Sequence, residues 1–429
     1  GQQQGEDFFV TCRVGGQVGS DDYSTHTRAT FSFADAKNGG YMNATYPSTT
    51  ITFSKAVENC TIPIISHENG QFQVYPDYNE IKKYTGVLYP YNMEIFRKRL
   101  QENGLQDQAD AFHKATARFA ALCYKADIEM CLRTPGFGGF QLLDLQDYPG
   151  QGSAYVGILD AFMDNKGGMA AEEFDGFCDE IVPLSIMPKY CWSNSEIFTA
   201  EIKLSNYSKE ALSKKNLSWT LSKAHSNLNV ARGEFPINIS QGHLGEVGKI
   251  KVPLQDINTA TQLVLTLQTG PHVNKYDIWV YPDKEVSVKS DIKETSSLKQ
   301  ALDLLQQGNK VLYTPDHKEV EKLSVGGLFT PDYWNYAMFK NISEWLKRDV
   351  SPGTLSILTD PSHPLFKEFP TETHSNWQWW IISKNSRPFI LERTPKDYKP
   401  LVQVIDNIER NHKLGLIFEI GRASCRERV

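Results

Sequence analysis

Apolar residues recur along this chain with two different periods, and the changes of period divide it into three parts. Over the first 190 residues, short apolar runs alternate with helical patterns. Phe8-Phe-Val-Thr-Cys-Arg-Val14 and Phe140-Gln-Leu-Leu-Asp-Leu145 read as strands, as does Cys60-Thr-Ile-Pro-Ile-Ile-Ser66, an apolar run that ends in polar residues. Residues 92–101 and 106–133 carry apolar side chains at i, i+3 and i+4: Phe96 and Leu100 in the first, Phe112, Ala115, Phe119 and Leu122 in the second. Gly104 lies between them, where a helix C-terminus favours a left-handed residue. Strands alternating with long helices predict parallel α/β architecture.

From about Lys189 the period becomes two. Ile197-Phe-Thr-Ala-Glu-Ile-Lys-Leu204, Leu217-Ser-Trp-Thr-Leu221, Gly248-Lys-Ile-Lys-Val252, Gln262-Leu-Val-Leu-Thr-Leu267 and Tyr276-Asp-Ile-Trp-Val-Tyr281 all alternate, with Asn, Ser, Gly and Lys turns between them. No helical pattern intervenes, so an antiparallel sandwich of immunoglobulin type is expected. After Pro282 helices return. Residues 296–307 open on a capping serine and end at Gly308, and 310–314, 355–359, 401–405 and 414–418 read as strands of a second α/β unit.

Composition adds exclusions. A length of 429 residues suits about three domains, and a hydrophobic content of 40% is that of a folded chain. The net charge of −6 leaves no basic stripe for nucleic acid. No run of about 18 apolar residues predicts a transmembrane segment. The N-terminal Gly1-Gln-Gln-Gln-Gly-Glu6 shows no signal-peptide pattern. The last ten residues, Ile420-Gly-Arg-Ala-Ser-Cys-Arg-Glu-Arg-Val429, resemble a translated sequencing adapter, so the chain is expected to be a fragment of a longer reading frame. Removing Arg422, Arg426, Arg428 and Glu427 takes the charge to −8. The cysteines (Cys12, Cys60, Cys123, Cys131, Cys178, Cys191 and Cys425) have no CxxC spacing and read as small core residues. Neither a metal cluster nor a GxGxxG loop is legible, so no metal and no cofactor is expected.

The chemistry concentrates in Ile62-Pro-Ile-Ile-Ser-His-Glu68-Asn-Gly-Gln-Phe-Gln-Val-Tyr75-Pro-Asp-Tyr. An apolar strand delivers a carboxylate at its C-terminal end, where (β/α)8 barrels keep their catalytic groups. On the pattern alone, Glu68 reads more readily as an exposed loop carboxylate and His67 as a structural histidine. Asp144, near the end of the strand at 140–145, and Asp147, just past it, read as pocket groups or as solvent-facing or capping residues.

This segment resembles the nucleophile strand of glycoside hydrolase family two, the β-galactosidases, β-glucuronidases and β-mannosidases. That family shows a strand, then Ser-Glu-(Tyr/Phe)-Gly, then aromatic and Pro-Ser/Asp-Tyr residues; here His67 replaces the serine and Asn69 the aromatic. Gly139-Phe-Gln-Leu-Leu-Asp144-Leu-Gln-Asp147-Tyr-Pro resembles the family's last barrel strand, with Leu143 and Tyr148 in place of tryptophans. Barrel followed by sandwich is also its domain order, and residues 147–160 look like its large secreted, Bacteroidetes-type members. The resemblance covers about residues 1–285. It implies the C-terminal half of a (β/α)8 barrel over 1–188, an immunoglobulin-like sandwich over 189–285, a clipped α/β domain over 286–419 and an artefactual tail over 420–429. The α/β domain resembles glutamine-amidotransferase or flavodoxin-like modules, without the cysteine an amidotransferase needs. The resemblance further implies a retaining β-glycosidase acting on oligosaccharides or polysaccharides, periplasmic or secreted. Glu68 would be its nucleophile, and His67, Asn69, Gln71, Tyr75, Asp144 and Asp147 its sugar contacts. The family's acid/base glutamate follows an asparagine. No Asn-Glu precedes Glu68, and Glu6 and Glu58 are the only earlier glutamates, so that residue is expected upstream of Gly1 and the fragment alone is expected to be inactive. A non-catalytic carbohydrate-binding or scaffold protein is the alternative.

Overall fold

A computed structural model describes residues 24–26, 40–58, 61–226, 228–283 and 291–421. The predicted strand at 8–14, Glu6, Cys12, Cys60, Cys425 and the tail from 422 lie outside them.

The first part contains three strands, β1 (Ser24–His26), β2 (Ile64–Asn69) and β3 (Phe137–Leu142). They lie side by side in chain order and all parallel, a half-barrel arrangement. Parallel neighbours need a long crossover. Helices α1 (Tyr91–Glu102) and α2 (Ala109–Leu132) supply it between β2 and β3, close to the predicted ranges. α2 is buried on several faces. Phe119, Ala120 and Cys123 share one core with Ile64 and Phe137, and Phe112 and Ala115 share another with Leu355 and Ile405.

The second part is a sandwich of two sheets. β4 (Ile181–Ile186), β6 (Ile197–Asn206) and β9 (His243–Pro253) form one. β5 (Cys191–Ser193), β7 (Leu212–Lys223), β8 (Asn229–Ile239), β10 (Thr261–Thr269) and β11 (His272–Tyr281) form the other, in the order β5-β11-β10-β7-β8. All pairings are antiparallel except β5 with β11. The alternation decides the packing: Phe198, Ala200, Ile202 and Leu204 of β6 meet Leu217, Leu221, Leu263, Leu265 and Leu267 in one core. The sandwich opens at β4, ahead of the expected 189, because β4 pairs with β6 and no turn signal marks it off from the preceding α/β segment.

In the third part the expected helix and the strand after it are present, preceded by a strand the sequence did not announce. β12 (Ile292–Thr295), α3 (Leu298–Gln306) and β13 (Lys310–Tyr313) make a parallel β-α-β unit, with Ser297 capping α3 through Gln300 N. Helix α4 (Tyr336–Trp345) follows. The remaining strands, β14 (Thr354–Thr359), β15 (Phe389–Ile390), β16 (Val402–Asp406) and β17 (Leu414–Ile417), are antiparallel, in the order β14-β16-β17-β15. This corrects the expected flavodoxin-like or amidotransferase-like module. Only short helical turns separate these strands, too little for parallel crossovers. Nor is the sheet an independent layer: Ile357, Val402, Val404 and Leu414 share the core of Ile64, Phe119 and Phe137. Trp379 and Trp380 are buried in that core, and Trp377 stacks on Tyr190 at 5.2 Å.

Sandwich and C-terminal segment meet over two carboxylates. Asn376 Nδ2 donates to both Glu372 Oε1 (3.2 Å) and Asp277 Oδ2 (3.4 Å), and Gln262 Nε2 donates to Glu372 Oε1 (2.7 Å). Burial, then the charge of Asp277, pushes Glu372 up from 4.5 to about 7. The folded chain therefore holds a proton that the unfolded chain releases near 4.5, and this contribution to stability is lost as pH rises through about 7. Thermal unfolding followed between pH 5 and pH 8 is expected to show a midpoint falling with pH. Glu372→Gln should flatten that fall; an unchanged slope would count against the proton held on Glu372.

Candidate active site

The end of β2 turns sharply. Glu68 and Gln71 have positive φ (54° and 64°), with Gly70 at 98° between them. Left-handed non-glycine residues are uncommon, and two in one turn mark a backbone held by its surroundings. The hold comes from α2. Asp127 accepts from Gly70 N (3.0 Å) and Asn69 Nδ2 (3.0 Å), and its carboxyl is pushed up to about 7 by burial. Asn69 also accepts from Ser66 Oγ.

The turn leaves Glu68 part-exposed, its side chain 22% accessible, beside His67. His67 Nε2 lies 3.0 Å from Glu68 Oε1, and Nδ1 lies 2.9 Å from Gln141 Oε1 on β3. Gln71 Nε2 donates to Glu68 O (3.2 Å) and, more weakly, to Glu68 Oε2 (3.5 Å). Gln71 Oε1 accepts from Tyr333 Oη and from Trp334 Nε1 (2.8 Å). Asp144, just past β3, is part-buried. Burial, and then the negative charge of Glu68, raises its carboxyl above the ordinary aspartate range. Two carboxylates, an imidazole and two amides thus gather where β2 and β3 end.

Three other sequence-predicted contacts turn into the protein. Asn69 is 1% exposed and faces Asp127. Tyr75 is fully buried and donates to Asn411 Oδ1 (2.6 Å). Asp147 is buried against Lys166 and accepts from Gly157 N (2.9 Å). The structure makes these core contacts, where the resemblance implied sugar contacts. Each side chain is taken by a buried partner from another segment, Asp127, Asn411 or Lys166, which no local pattern announces. Gln73 is likewise buried, donating to Ser153 O (3.0 Å). Gln141, Asp127, Tyr333 and Trp334 were missed. The polar-aromatic cluster Asp332-Tyr-Trp-Asn335 was the one available signal for the last two.

Among the described residues, no group of three or more His, Cys, Asp or Glu side chains could hold a metal ion, and no helix is long and apolar enough to cross a membrane.

Two family models match the chain, each a domain of unknown function: DUF8488 over residues 196–282 and DUF8487 over residues 293–426. No curated protein matches it. Among solved structures, a β-glucosidase from Erythrobacter marinus is similar over 23% of this chain and 14% of its own, at 7% identity and TM-score 0.18. A β-glucosidase from Listeria innocua in complex with glucose is similar over 24% of this chain and 16% of its own, at 12% identity and TM-score 0.19. An alkylpurine DNA glycosylase from Pseudomonas fluorescens, bound to DNA containing an abasic site analog, is similar over 24% of this chain and 30% of its own, at 10% identity and TM-score 0.19. The chain thus spans less than a third of each of these solved chains, and weak, local likeness of this kind carries no argument about fold or activity.

Proposed function

We propose that this chain carries the nucleophile of a retaining β-glycosidase of family-two type, and that the nucleophile is Glu68. The observation that supports it most is the placing of a part-exposed carboxylate at the C-terminal end of a parallel strand, in a turn strained and braced by buried partners. Glu68 attacks the anomeric carbon as the bond to the leaving oxygen breaks, giving a glycosyl ester that water then hydrolyses. A second carboxylic acid protonates the leaving oxygen in the first step. Asp144 and His67 face the same space and are proposed to bind sugar hydroxyls, with Gln71 holding Glu68. Half-barrel followed by sandwich fits the family's domain order, and sheets of three and five strands fit an immunoglobulin-like module. From the same resemblance we further propose a periplasmic or secreted location.

The test uses 2,4-dinitrophenyl 2-deoxy-2-fluoro-β-glycosides of glucose, galactose and mannose. Their leaving group departs without a proton, so trapping depends on the nucleophile alone. Peptide mass mapping is expected to find one sugar on Glu68. An adduct on another carboxylate would remove the assignment. Saccharide binding with no adduct from any of the three sugars would favour a carbohydrate-binding protein instead.

A further inference from the structure

We propose that Tyr333 and Trp334, contributed by the C-terminal part of the chain, are positioning residues for Glu68 that act through the Gln71 amide. The proposal rests on the reading of Glu68 as the nucleophile. It starts from donor and acceptor capacity. A glutamine amide has one acceptor and one donor end, and its neighbours decide which faces where. Tyr333 Oη and Trp334 Nε1 both donate to Gln71 Oε1, so the oxygen faces them. Nε2 must then face the other way, towards Glu68 O and Oε2 at 3.2 and 3.5 Å. Gln71 is 1% exposed, so water does not compete for either end.

The two donors are themselves fixed. Tyr333 pairs with Phe72 in an antiparallel bridge, and Gln73 N donates to Asp332 O (3.3 Å). Asp332 N donates to Thr354 O (2.9 Å) at the start of β14, so the 332–334 segment lies between the Glu68 turn and the C-terminal sheet. Phe339 of α4 meets both rings edge-on, at 4.6 Å from Tyr333 and 5.6 Å from Trp334. A donor aimed at a carboxylate stabilises its ionised form, which is the form that attacks. Without Tyr333 and Trp334 the amide is free to turn over, and its oxygen would then oppose the carboxylate. The third part of the chain thus belongs to the site itself.

The test is a cycle. Tyr333→Phe combined with Trp334→Phe keeps an aromatic ring at both positions and removes both donors. In the otherwise native protein this is expected to cost about ten- to a hundred-fold in kcat/KM on activated aryl β-glycosides, with the loss in kcat rather than in KM. In a Gln71→Met background the same pair should cost little, because the amide through which it acts is gone. No loss in the native background, or an equal loss in both, overturns the proposal. A nuclear Overhauser contact between the Gln71 side-chain amide protons and the Glu68 side chain reads the same arrangement without turnover. It is expected to weaken in the double variant, and an unchanged contact overturns the proposal. A protein whose Glu68 takes up no fluoro-sugar but whose Gln71–Glu68 contact weakens would remove the glycosidase reading and leave the positioning role standing. If the double variant does not fold, Tyr333→Phe and Trp334→Phe are taken singly, with the same signs.

Discussion

Glu68→Gln is expected to lower turnover of activated aryl β-glycosides by about a thousand-fold or more, since removing a covalent nucleophile abolishes the pathway rather than slowing one step of it. The replacement is nearly isosteric. The side chain is part-exposed, and the Gln71 contact to the Glu68 backbone oxygen does not depend on the carboxylate. The unfolding free energy should therefore change by no more than about 1 kcal/mol. Kinetics and denaturant unfolding on the same preparation separate the two effects. Glu68→Ala with azide offers a further check: a small anion in the space the truncation opens should attack from the nucleophile's side and release an α-glycosyl azide. Unchanged kinetics in Glu68→Gln would end the nucleophile assignment.

The second large effect is structural. An added Cβ at Gly70 would stand 2.2 Å from Tyr124 Cε1 and 2.4 Å from Cζ, at a backbone φ of +98°. Tyr124 cannot retreat. It is 1% exposed, its hydroxyl donates to Val156 O (2.6 Å) and Asp144 O (3.1 Å), and its ring meets Phe72 edge-on at 5.4 Å. Overpacking and backbone strain together predict that Gly70→Ala destabilises the protein by about 3–5 kcal/mol, measured by urea unfolding. Adding Tyr124→Ala should recover part of that loss, because the two changes meet at one contact. A cost below about 1 kcal/mol would mean that the turn after Glu68 is free to rearrange, and the account of how α2 braces it would fall.

These two residues show what was legible. The apolar run into Ser-His-Glu-Asn-Gly announces a strand that ends on a carboxylate, and the structure places Glu68 at the end of β2. Gly70 is visible in the sequence, but its reason is Tyr124, on a helix beyond an intervening helix and loops. That Asn69, Tyr75 and Asp147 meet a sugar was implied by the resemblance alone; in the structure Asp127, Asn411 and the buried Lys166 take those side chains instead. The last sheet went the same way. Its strands are apolar runs of four to six residues, apart from the two-residue β15, and such runs look alike whether their neighbours lie parallel or antiparallel.

By itself, the sequence determined what each segment is: strand where alternation or a short apolar run holds, and helix where the spacing is 3.6. These are local properties, set by which face of a few consecutive residues avoids water. Only the tertiary structure decided which segments meet. It encloses α2 on several sides, joins the C-terminal sheet to the core of the half-barrel, and brings Trp334 to a glutamine 263 positions earlier. Such contacts follow from packing summed over the whole chain, with partners too far apart in sequence to leave a mark on any one stretch of it.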